Sequence, residues 1–420
     1  MQQELIPHLF RTEFSKIAAV LVKHLGIDNM EIAEDITSET FLSALETWTY
    51  KGIPQNPTAW LYVVAKNKAK NYLTRNQVFQ QKIVPALKKP DATVIEAEID
   101  LSEKNISDSQ LQMIFAVCHP SIPAESQIGL ALRILCGFGI DEIANAFLTN
   151  KETVNKRLYR AREKLRTENI QIEFPPDAEL PKRMDAVLLT LYLLFNEGYY
   201  SESQDVILRE DLCFEAMRLV KLLIDNEPTS LSDVNALFAL MCFHASRFAA
   251  RKSDNGEIIL YEDQDESLWD RELIASGVYY LHQGSSGNKI SRYHLEANIA
   301  YWHTIKNDKG EKWETILQLY NHLLALEYSP IAALNRTFVL SKVKGKEAAI
   351  AEAEKLKLDN NHYYFMLLGE LYSGIDQNKA KQNFEKALQL AKNNSDKQLI
   401  EKKLILINQE FPGLQKAAEE

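Results

Sequence analysis

The sequence predicts an all-α protein. Apolar residues recur three and four positions apart in almost every segment, which is the spacing of helices that bury one face, and the strict alternation of β-strands is rare. Turn-forming residues separate the helical segments, among them Pro120, Pro123 and Gly137. With 420 residues and 46% hydrophobic content, the chain is long enough for two or three helical domains with substantial cores.

The first predicted helices differ in charge. Between His24 and Tyr50 the chain has no Lys or Arg, and its carboxylates are Asp28, Glu31, Glu34, Asp35, Glu39 and Glu46. The next amphipathic helix lies within residues 56–77, and its apolar face is formed by Leu61, Ala65, Ala69, Tyr72 and Leu73. From position 66 to position 90 there is no carboxylate, and the cations are Lys66, Lys68, Lys70, Arg75, Lys82, Lys88 and Lys89. This run favours a nucleic-acid surface, so the two helices are predicted to have different partners.

Residues 139–166 predict a helix-turn-helix with a basic second helix. The apolar face of the first helix consists of Ile140, Ile143, Ala144 and Phe147, and that of the second consists of Val154, Leu158, Ala161 and Leu165. Thr149 followed by Glu152 predicts a capping box at the start of the second helix. The remaining polar positions suit contacts with phosphates and base edges, and they are Lys151, Asn155, Lys156, Arg157 and Arg160. A basic helix that is merely solvated is the alternative for this segment taken alone.

Together these blocks resemble the bacterial extracytoplasmic-function sigma factors over roughly residues 5–168. The matching order is an acidic helix (EDITSETFLSALETW), an Asn-Pro-x-Ala-Trp helix (NPTAWLYVVAKNKAKNYL) and a terminal helix-turn-helix (DEIANAFLTNKETVNKRLYRAREKLR). The resemblance implies a region two whose acidic helix docks on the beta-prime clamp helices of core RNA polymerase and whose basic helix opens the minus-ten element. It also implies a region four that reads the minus-thirty-five element of promoter DNA and touches the beta flap.

Carried onto this sequence, the resemblance implies three sets of contact residues. Core polymerase binding falls on Glu34, Asp35, Glu39 and Thr40. Minus-ten contacts fall on Lys66, Asn67, Lys70, Asn71 and Arg75. Minus-thirty-five contacts fall on Lys151, Thr153, Asn155, Lys156, Arg157 and Arg160. Lys66 stands where many relatives have Arg, so this position keeps the charge but lacks the planar guanidinium fork.

The rest of the chain resembles the carboxy-terminal extension of a sigma-factor group that carries a tetratricopeptide-like (TPR-like) domain. The segments that carry this resemblance include MDAVLLTLYLLFNEGYYSES, LREDLCFEAMRLVKLL and LYEDQDESLWDRELI. In FMLLGELYSGIDQNKAKQNFEKALQL the characteristic repeat positions are occupied by Phe365, Leu368, Gly369, Tyr372, Ala380, Phe384 and Ala387. The expected architecture is therefore a sigma module followed by a helical, TPR-like extension.

Five segments are predicted along the chain. They are sigma region two at 1–77, a linker at 78–107, region four at 108–168, a helical extension domain at 178–285 and TPR-like helical repeats at 290–413. Adjacent Pro175 and Pro176 predict a hinge before the extension. The net charge is -1 over residues 1–174 and -9 over residues 175–420. The extension is expected to regulate the sigma module in cis, with YEDQDESLWD as the contacting segment, or through a protein partner on the repeats.

The sequence predicts no enzyme, no cofactor and no metal site. It has no phosphate-binding glycine loop, no HExxH motif and no nucleophile with an identifiable base. Cys118 beside His119 has no second close ligand pair, and four well-separated cysteines in apolar patterns suit buried, reduced side chains. No apolar run is long enough for a bilayer and the N-terminus lacks signal-peptide features, so a cytoplasmic protein without membrane contact is expected.

Two other functions fit part of the sequence. One is a helix-turn-helix transcriptional regulator that binds an operator without core polymerase, and the other is a TPR adaptor whose basic helices bind protein. The paired acidic and basic helices within residues 28–77 favour the sigma factor, because a simple regulator has no need of that pair. Co-purification with core polymerase separates the three.

Overall fold

A computed structural model divides the chain into two compact units, Met1–Leu193 and Leu194–Glu420. The structure describes residues 2–83, 99–147, 149–199, 209–252, 259, 261–286, 289–306, 310–392 and 394–410. Within these residues the regular elements are helices and no β-strand is present, so the all-α prediction is confirmed. None of the described helices is long and apolar enough to cross a bilayer. The four cysteines are buried and free, as predicted.

The first unit is built around its first helix, α1. Its helices are α1 Gln2–Leu25, α2 Met30–Lys51, α3 Pro57–Ile83, α4 Glu103–Val117, α5 Ala124–Leu130, α6 Ile140–Ala146, α7 Lys151–Thr167 and the first part of α8 Leu180–Tyr199. Helix α1 packs against α2, α3 and α4, and its side chains Phe14, Ile17 and Leu21 are completely buried. Each such burial contributes about 1.5–3 kcal/mol. The predicted regions two and four therefore share one core, because α1 packs against helices of both.

The turn between α2 and α3 positions the acidic and basic helices side by side. Helix α2 ends at Gly52, whose φ of 81° is the left-handed conformation that glycine adopts without strain, and whose N–H donates to the carbonyl of Trp48 at 3.1 Å. Helix α3 begins at Pro57, and the side chain of Asn56 accepts the N–H of Ala59 at 3.0 Å. The half-buried Trp60 ring packs edge-on against buried Trp48, with centroids 5.4 Å apart.

The apolar stripes predicted for α3 and α7 are confirmed. Leu61, Ala65 and Ala69 on α3 are completely buried, while Tyr72 and Leu73 are half-buried. On α7 the buried residues are Val154, Leu158, Ala161 and Leu165. Both helices are amphipathic, so their polar faces are available for other contacts.

The capping box predicted at the start of α7 is wrong by one residue. The N-cap is Asn150, whose side chain accepts the N–H of Thr153 at 2.8 Å, and Thr149 precedes it. Glu152 bonds Lys156 one turn later at 2.7 Å. Asn is at least as good an N-cap as Thr, because its side-chain oxygen reaches the same backbone donor.

Before α6, helix α5 continues into a π-helical turn, Ala131–Leu135. There the N–H of Cys136 donates to the carbonyl of Ala131, five residues back, at 3.1 Å. Each hydrogen bond of this wider turn spans one more residue than in an α-helix. Arg133 lies within the turn.

The second unit contains the end of α8 and eleven further helices among its described residues. These are α9 Glu210–Ile224, α10 Ser232–Ala245, α11 Phe248–Arg251, α12 Arg271–Gly284, α13 Arg292–Trp302, α14 Gly310–Leu326, α15 Pro330–Lys344, α16 Lys346–Leu356, α17 His362–Tyr372, α18 Gln377–Leu390 and α19 Asn394–Glu410. Helix α10 packs against α9, α12 and α13, and from α13 onward each described helix packs on the next.

The α17–α18 pair contains the residues assigned to the TPR pattern. All seven are buried in one cluster: Phe365, Leu368, Gly369, Tyr372, Ala380, Phe384 and Ala387. A side chain at Gly369 would lie 2.8 Å from the ring of Phe384, so the glycine permits the close approach of the two helices. Small and large residues of α17 and α18 therefore pack together between the two helices.

Replacing Gly369 with Ala should destabilise the second unit. The added methyl meets the ring of Phe384, which is only 1% exposed and has no free space to move into. Overpacking of this kind costs about 1–3 kcal/mol, which exceeds the gain of up to about 1 kcal/mol from replacing a helical glycine. Thermal unfolding of the full chain should show a lower melting temperature, whereas Gln382→Ala on the exposed side of α18 should leave it nearly unchanged. Equal melting temperatures for both variants would contradict the close packing.

Candidate nucleic-acid and polymerase interface

The acidic helix α2 has exposed carboxylates on one side and a buried carboxylate on another. Asp35 and Glu39 are exposed, and Glu39 forms an ion pair with Lys68 of α3 at 3.1 Å. Glu34 is only 4% exposed and Thr40 is completely buried, with its hydroxyl donating to the carbonyl of Ile36 at 2.8 Å. Of the four residues assigned to core binding, the structure therefore presents Asp35 and Glu39 at the surface.

An apolar groove of 720 Å³ runs between α1 and α2 beside these carboxylates. Its lining consists of Ile6, Pro7, Phe10, Ser38, Phe41, Leu42, Leu45, Trp48, Thr49 and Ile53. Leu42 and Leu45 are 56% and 47% exposed, although both are large aliphatic residues on a well-packed helix. Glu39 precedes Leu42 by one helical turn, so carboxylate and apolar groups alternate along one face. An apolar patch rimmed by charge is typical of a protein-binding surface.

Glu34 is buried between two arginines from distant parts of the first unit. Its Oε2 accepts the Nε–H of Arg133 at 2.6 Å, and its Oε1 accepts a short hydrogen bond from Nη2 of Arg162. Arg133 also donates to the carbonyl of Phe138 at 3.1 Å. We call Glu34, Arg133 and Arg162 the Glu34 cluster. One carboxylate thereby joins α2 to the π-helical turn and to α7.

Further contacts extend this junction at the surface. Arg162 donates to Glu31 at 3.2 Å, and Arg166 pairs with Asp28 at 3.2 Å while also donating to its carbonyl at 3.0 Å. The carboxy-terminal half of α7 is thus bound to the acidic segment that begins α2. Exposed ion pairs contribute little, about 0–1 kcal/mol each, so the buried Glu34 cluster dominates the contact.

The basic helix α3 presents its polar face to solvent. Asn67, Lys70, Asn71 and Arg75 are exposed, and Lys66 is half-buried. Tyr62, on the same helix, donates to Oε2 of Glu13 on α1 at 2.6 Å, and burial together with this carboxylate raises the pKa of Tyr62 above its ordinary value. The helix is therefore fixed to α1 while its minus-ten residues stay accessible. The side chain of Lys82, and all of Lys88 and Lys89, lie outside the described residues.

The amino-terminal half of α7 carries the residues assigned to the minus-thirty-five element. Lys151, Asn155, Lys156 and Arg160 are exposed, whereas Thr153 and Arg157 are half-buried. Three of the cations have ion pairs: Lys151 with Asp141 at 2.6 Å, Lys156 with Glu152 at 2.7 Å and Arg157 with Glu125 at 2.8 Å. Arg160 has no ion pair with a described residue. A phosphate group that bound one of these cations would replace an exposed carboxylate as its partner. The free-energy change of this replacement is small, because exposed ion pairs are weak.

Sequence reasoning missed the arginines that bind Glu34 and Asp28. Arg133, Arg162 and Arg166 were not assigned a role, because their partners lie about a hundred positions away along the chain. A signal for Arg162 was present, since it follows buried Ala161 and lies one turn after buried Leu158. An arginine at the edge of an apolar stripe packs its stem along that stripe, so its position alone did not identify Glu34 as its partner.

Comparison with known proteins gives the family of the amino-terminal part of the chain. The sigma-70 region 2 family matches residues 9–78, which contain α2 and almost all of α3. An ECF RNA polymerase sigma-E factor of Salmonella typhimurium is 31% identical over 159 residues, covering 35% of this chain and 78% of the relative. This chain belongs to the sigma-70 family. A second ECF RNA polymerase sigma-E factor, from Haemophilus influenzae, is 27% identical over 154 residues, covering 36% of the sigma factor described here and 79% of that relative.

The carboxy-terminal part of this sigma factor has different relatives. A family of unknown function (DUF6596) matches residues 183–285. An uncharacterized protein of Rhizobium meliloti (strain 1021) is 33% identical over 374 residues, or 88% of each chain, so the similarity to that protein includes the extension. No solved structure matches the chain significantly.

Removing Arg162 should loosen the junction between α2 and α7. Arg162→Ala leaves Glu34 buried with Arg133 alone, and losing one charged hydrogen bond to a buried carboxylate costs about 1–3 kcal/mol. Hydrogen–deuterium exchange should become faster in α2 and α7 and stay unchanged in α17 and α18. Arg160→Ala, at an exposed position of the same helix, is the matched control. Identical exchange in the two variants would contradict a stabilising role for the Glu34 cluster.

Proposed function

We propose that this protein is an extracytoplasmic-function sigma factor that directs core RNA polymerase to promoters. The observation that carries the proposal is the set of exposed groups on one compact unit: carboxylates beside an apolar groove on α2, and polar, basic faces on α3 and α7. The polymerase supplies the chemistry, so the chain itself needs neither catalytic residues nor a cofactor. It works in the cytoplasm, where promoter DNA and core polymerase are.

In this proposal α2 binds the beta-prime clamp helices. Asp35 and Glu39 provide charge at the rim, and Leu42 and Leu45 provide the apolar area that is lost from water on binding. Glu34 contributes from beneath by its hydrogen bond to Arg133, and Thr40 contributes by its burial in the core, rather than by direct contact. Two of the four assigned residues are therefore expected to contact core polymerase, and the other two to act through the position of α2.

The DNA contacts are divided between two helices. Asn67, Lys70, Asn71 and Arg75 on α3 hold the unpaired strand of the minus-ten element, with the half-buried Lys66 supplying charge at its edge. On α7, Asn155, Lys156 and Arg157 read bases of the minus-thirty-five element in the major groove. Lys151, Thr153 and Arg160 bind the flanking phosphates.

Charge reversal on α2 should weaken core binding. Asp35→Lys combined with Glu39→Lys is expected to reduce affinity for core polymerase by at least about tenfold, since opposite rim charges become like charges across the interface. Size-exclusion chromatography and a quantitative pull-down with purified core measure the complex. Glu173→Lys combined with Asp177→Lys changes the same charge at exposed positions after α7 and should bind normally. Unchanged core binding by the α2 variant would contradict the assignment, and operator-like DNA binding without core would favour the transcriptional regulator.

The two arginines of α7 should differ in their effect on promoter choice. Arg157→Ala removes a base contact and should cost about 1–3 kcal/mol at one promoter position, whereas Arg160→Ala removes a phosphate contact and should weaken all promoters evenly. Run-off transcription from a library of promoter sequences distinguishes these results. Equal losses on specific and random DNA for both variants would show that α7 does not read bases.

For the extension, we propose a TPR-like domain that regulates the sigma unit in cis or through a protein partner. The buried α17–α18 pattern supports the TPR-like assignment, and the net charge of -9 over residues 175–420 supports an electrostatic influence on basic DNA-binding helices. In the predicted cis segment YEDQDESLWD, Glu262, Asp263, Asp265 and Glu266 are exposed, while Gln264 and Trp269 are buried.

Truncation tests this regulation, and the structure sets where the chain should be cut. The Pro175–Pro176 segment precedes α8, and α8 still packs within the first unit: Arg183 donates to the carbonyl of Phe115, and Thr190 donates to Gln127 at 2.6 Å. A chain ending at residue 174 loses these bonds, so residues 1–199 are the better choice. If the extension supports the active arrangement, this truncated chain should bind core but transcribe poorly, and if it inhibits, transcription should rise. Identical run-off activity of full-length and truncated chains would contradict both.

A further inference from the structure

Cationic and aromatic side chains converge in the second unit where several helices end. Tyr199 ends α8, His244 and Arg247 lie at the end of α10, and His303 follows α13. The group is completed by Tyr261 and by Lys312 in the first turn of α14. We call these six residues the Arg247 cluster. Tyr261 begins the predicted cis segment, and the other five have no role in the functions proposed above.

Short distances connect the members into one group. The Tyr199 and His244 rings are 4.4 Å apart, and the Tyr261 and His303 rings are 5.1 Å apart. The Arg247 guanidinium joins the two pairs, because Nη2 lies 3.4 Å from the Tyr199 hydroxyl and its central carbon lies 5.6 Å from the centre of the Tyr261 ring.

Two more cations lie against the same aromatic rings. The Arg251 guanidinium lies 3.9 Å from the centre of the Tyr199 ring. Lys312 donates to the Tyr261 hydroxyl at 3.0 Å and to the carbonyl of Ile305 at 2.6 Å. Three cationic side chains therefore lie against one pair of tyrosines.

Arg247 has no counter-ion among the residues that the structure describes. It is only 7% exposed, its polar contact is the neutral hydroxyl of Tyr199, and its Nε–H has no acceptor. A buried guanidinium is normally paired with a carboxylate, because removing it from water without a partner costs several kcal/mol.

Other polar atoms around Arg247 also lack partners. Nδ1 of His244, Nδ1 of His303 and the indole N–H of Trp269, whose ring stacks on Tyr261, are buried without a hydrogen bond. More than about 90% of buried polar atoms in proteins are satisfied, so several exceptions in one place require an explanation. Burial first, and the neighbouring cations second, lower the pKa of His303 to about 3 and hold the pKa of His244 well below its ordinary value. Both imidazoles are therefore neutral at pH 7, although each keeps some accessible surface.

We propose that the Arg247 cluster is a binding site for a small organic oxyanion, a carboxylate or phosphate compound. The guanidinium fork of Arg247 matches two oxygens of such a group, and the unpartnered imidazole and indole nitrogens supply further hydrogen bonds around it. The ligand supplies the counter-ion that Arg247 lacks among the described residues. This inference does not depend on the proposed sigma function.

Thermal unfolding of the full chain tests the site with three probes: inorganic phosphate, phenyl phosphate and benzoate, each against chloride at matched ionic strength. At least one probe should raise the melting temperature in a saturable manner by about 2 °C or more, because ligand binding stabilises the folded state. A larger effect of phenyl phosphate than of phosphate indicates an organic phosphate as the ligand, and an effect of benzoate alone identifies carboxylate as the preferred anion. If no probe exceeds chloride, the proposal is wrong.

Substitution of Arg247 assigns the effect to the cluster. Arg247→Met should abolish the stabilisation while the ligand-free protein melts at the same or a higher temperature, since a buried charge without a counter-ion has been removed. Arg271→Met, at an exposed position that begins α12, should keep the full probe response. If circular dichroism shows that Arg247→Met is unfolded, Arg247→Lys replaces it and should give a weaker response, because lysine keeps the charge without the fork. A response that persists in the Arg247 variant would overturn the site.

Discussion

The first unit depends on one carboxylate that is shared by two guanidinium groups. Glu34 is buried, and an isolated charge at that position would be prohibitively unfavourable. Arg133 and Arg162 reach it from the π-helical turn and from α7, and their hydrogen bonds replace those that water would make. The arrangement is stable only when all three helical segments are in place, so the positions of α2 and α7 are fixed by the same group. Packing of α1 against both predicted sigma regions brings those segments into range.

This constraint determines which side chains of the sigma factor are available to partners. On α2 the exposed carboxylates Asp35 and Glu39 accompany an apolar groove, while Glu34 is engaged inside the unit. On α7 the amino-terminal half is exposed and the carboxy-terminal half is bound to the acidic segment. In the proposed function, core polymerase and promoter DNA use the exposed halves, and the buried halves keep the two surfaces in a defined relation. The extension then adds a second unit whose Arg247 cluster provides a chemically separate ligand site.

Local features of the fold could be predicted from the sequence, and long-range pairs could not. The helices and their buried stripes follow from residue spacing, as Leu61, Ala65 and Ala69 on α3 show. The cap of α7 was misplaced from Asn150 to Thr149, because adjacent residues offer equivalent side-chain oxygens and only geometry selects between them. The Glu34 cluster and the Arg247 cluster each combine residues that are tens of positions or more apart. A single sequence gives the charge of each such residue. It does not show which charged residues, of the same or the opposite sign, lie next to it in the fold.

The π-helical turn at Ala131–Leu135 makes the central ion pair sensitive to chain length. In a regular α-helix each residue rotates the following side chains by about 100°. Deleting one residue from the turn would restore a regular helix. Arg133 would then rotate away from Glu34, and the orientation of α6 and α7, which follow the turn, would also change. Insertion or deletion of one codon in this turn would therefore connect or disconnect α2 and α7 in evolution. No residue on either helix would need to change.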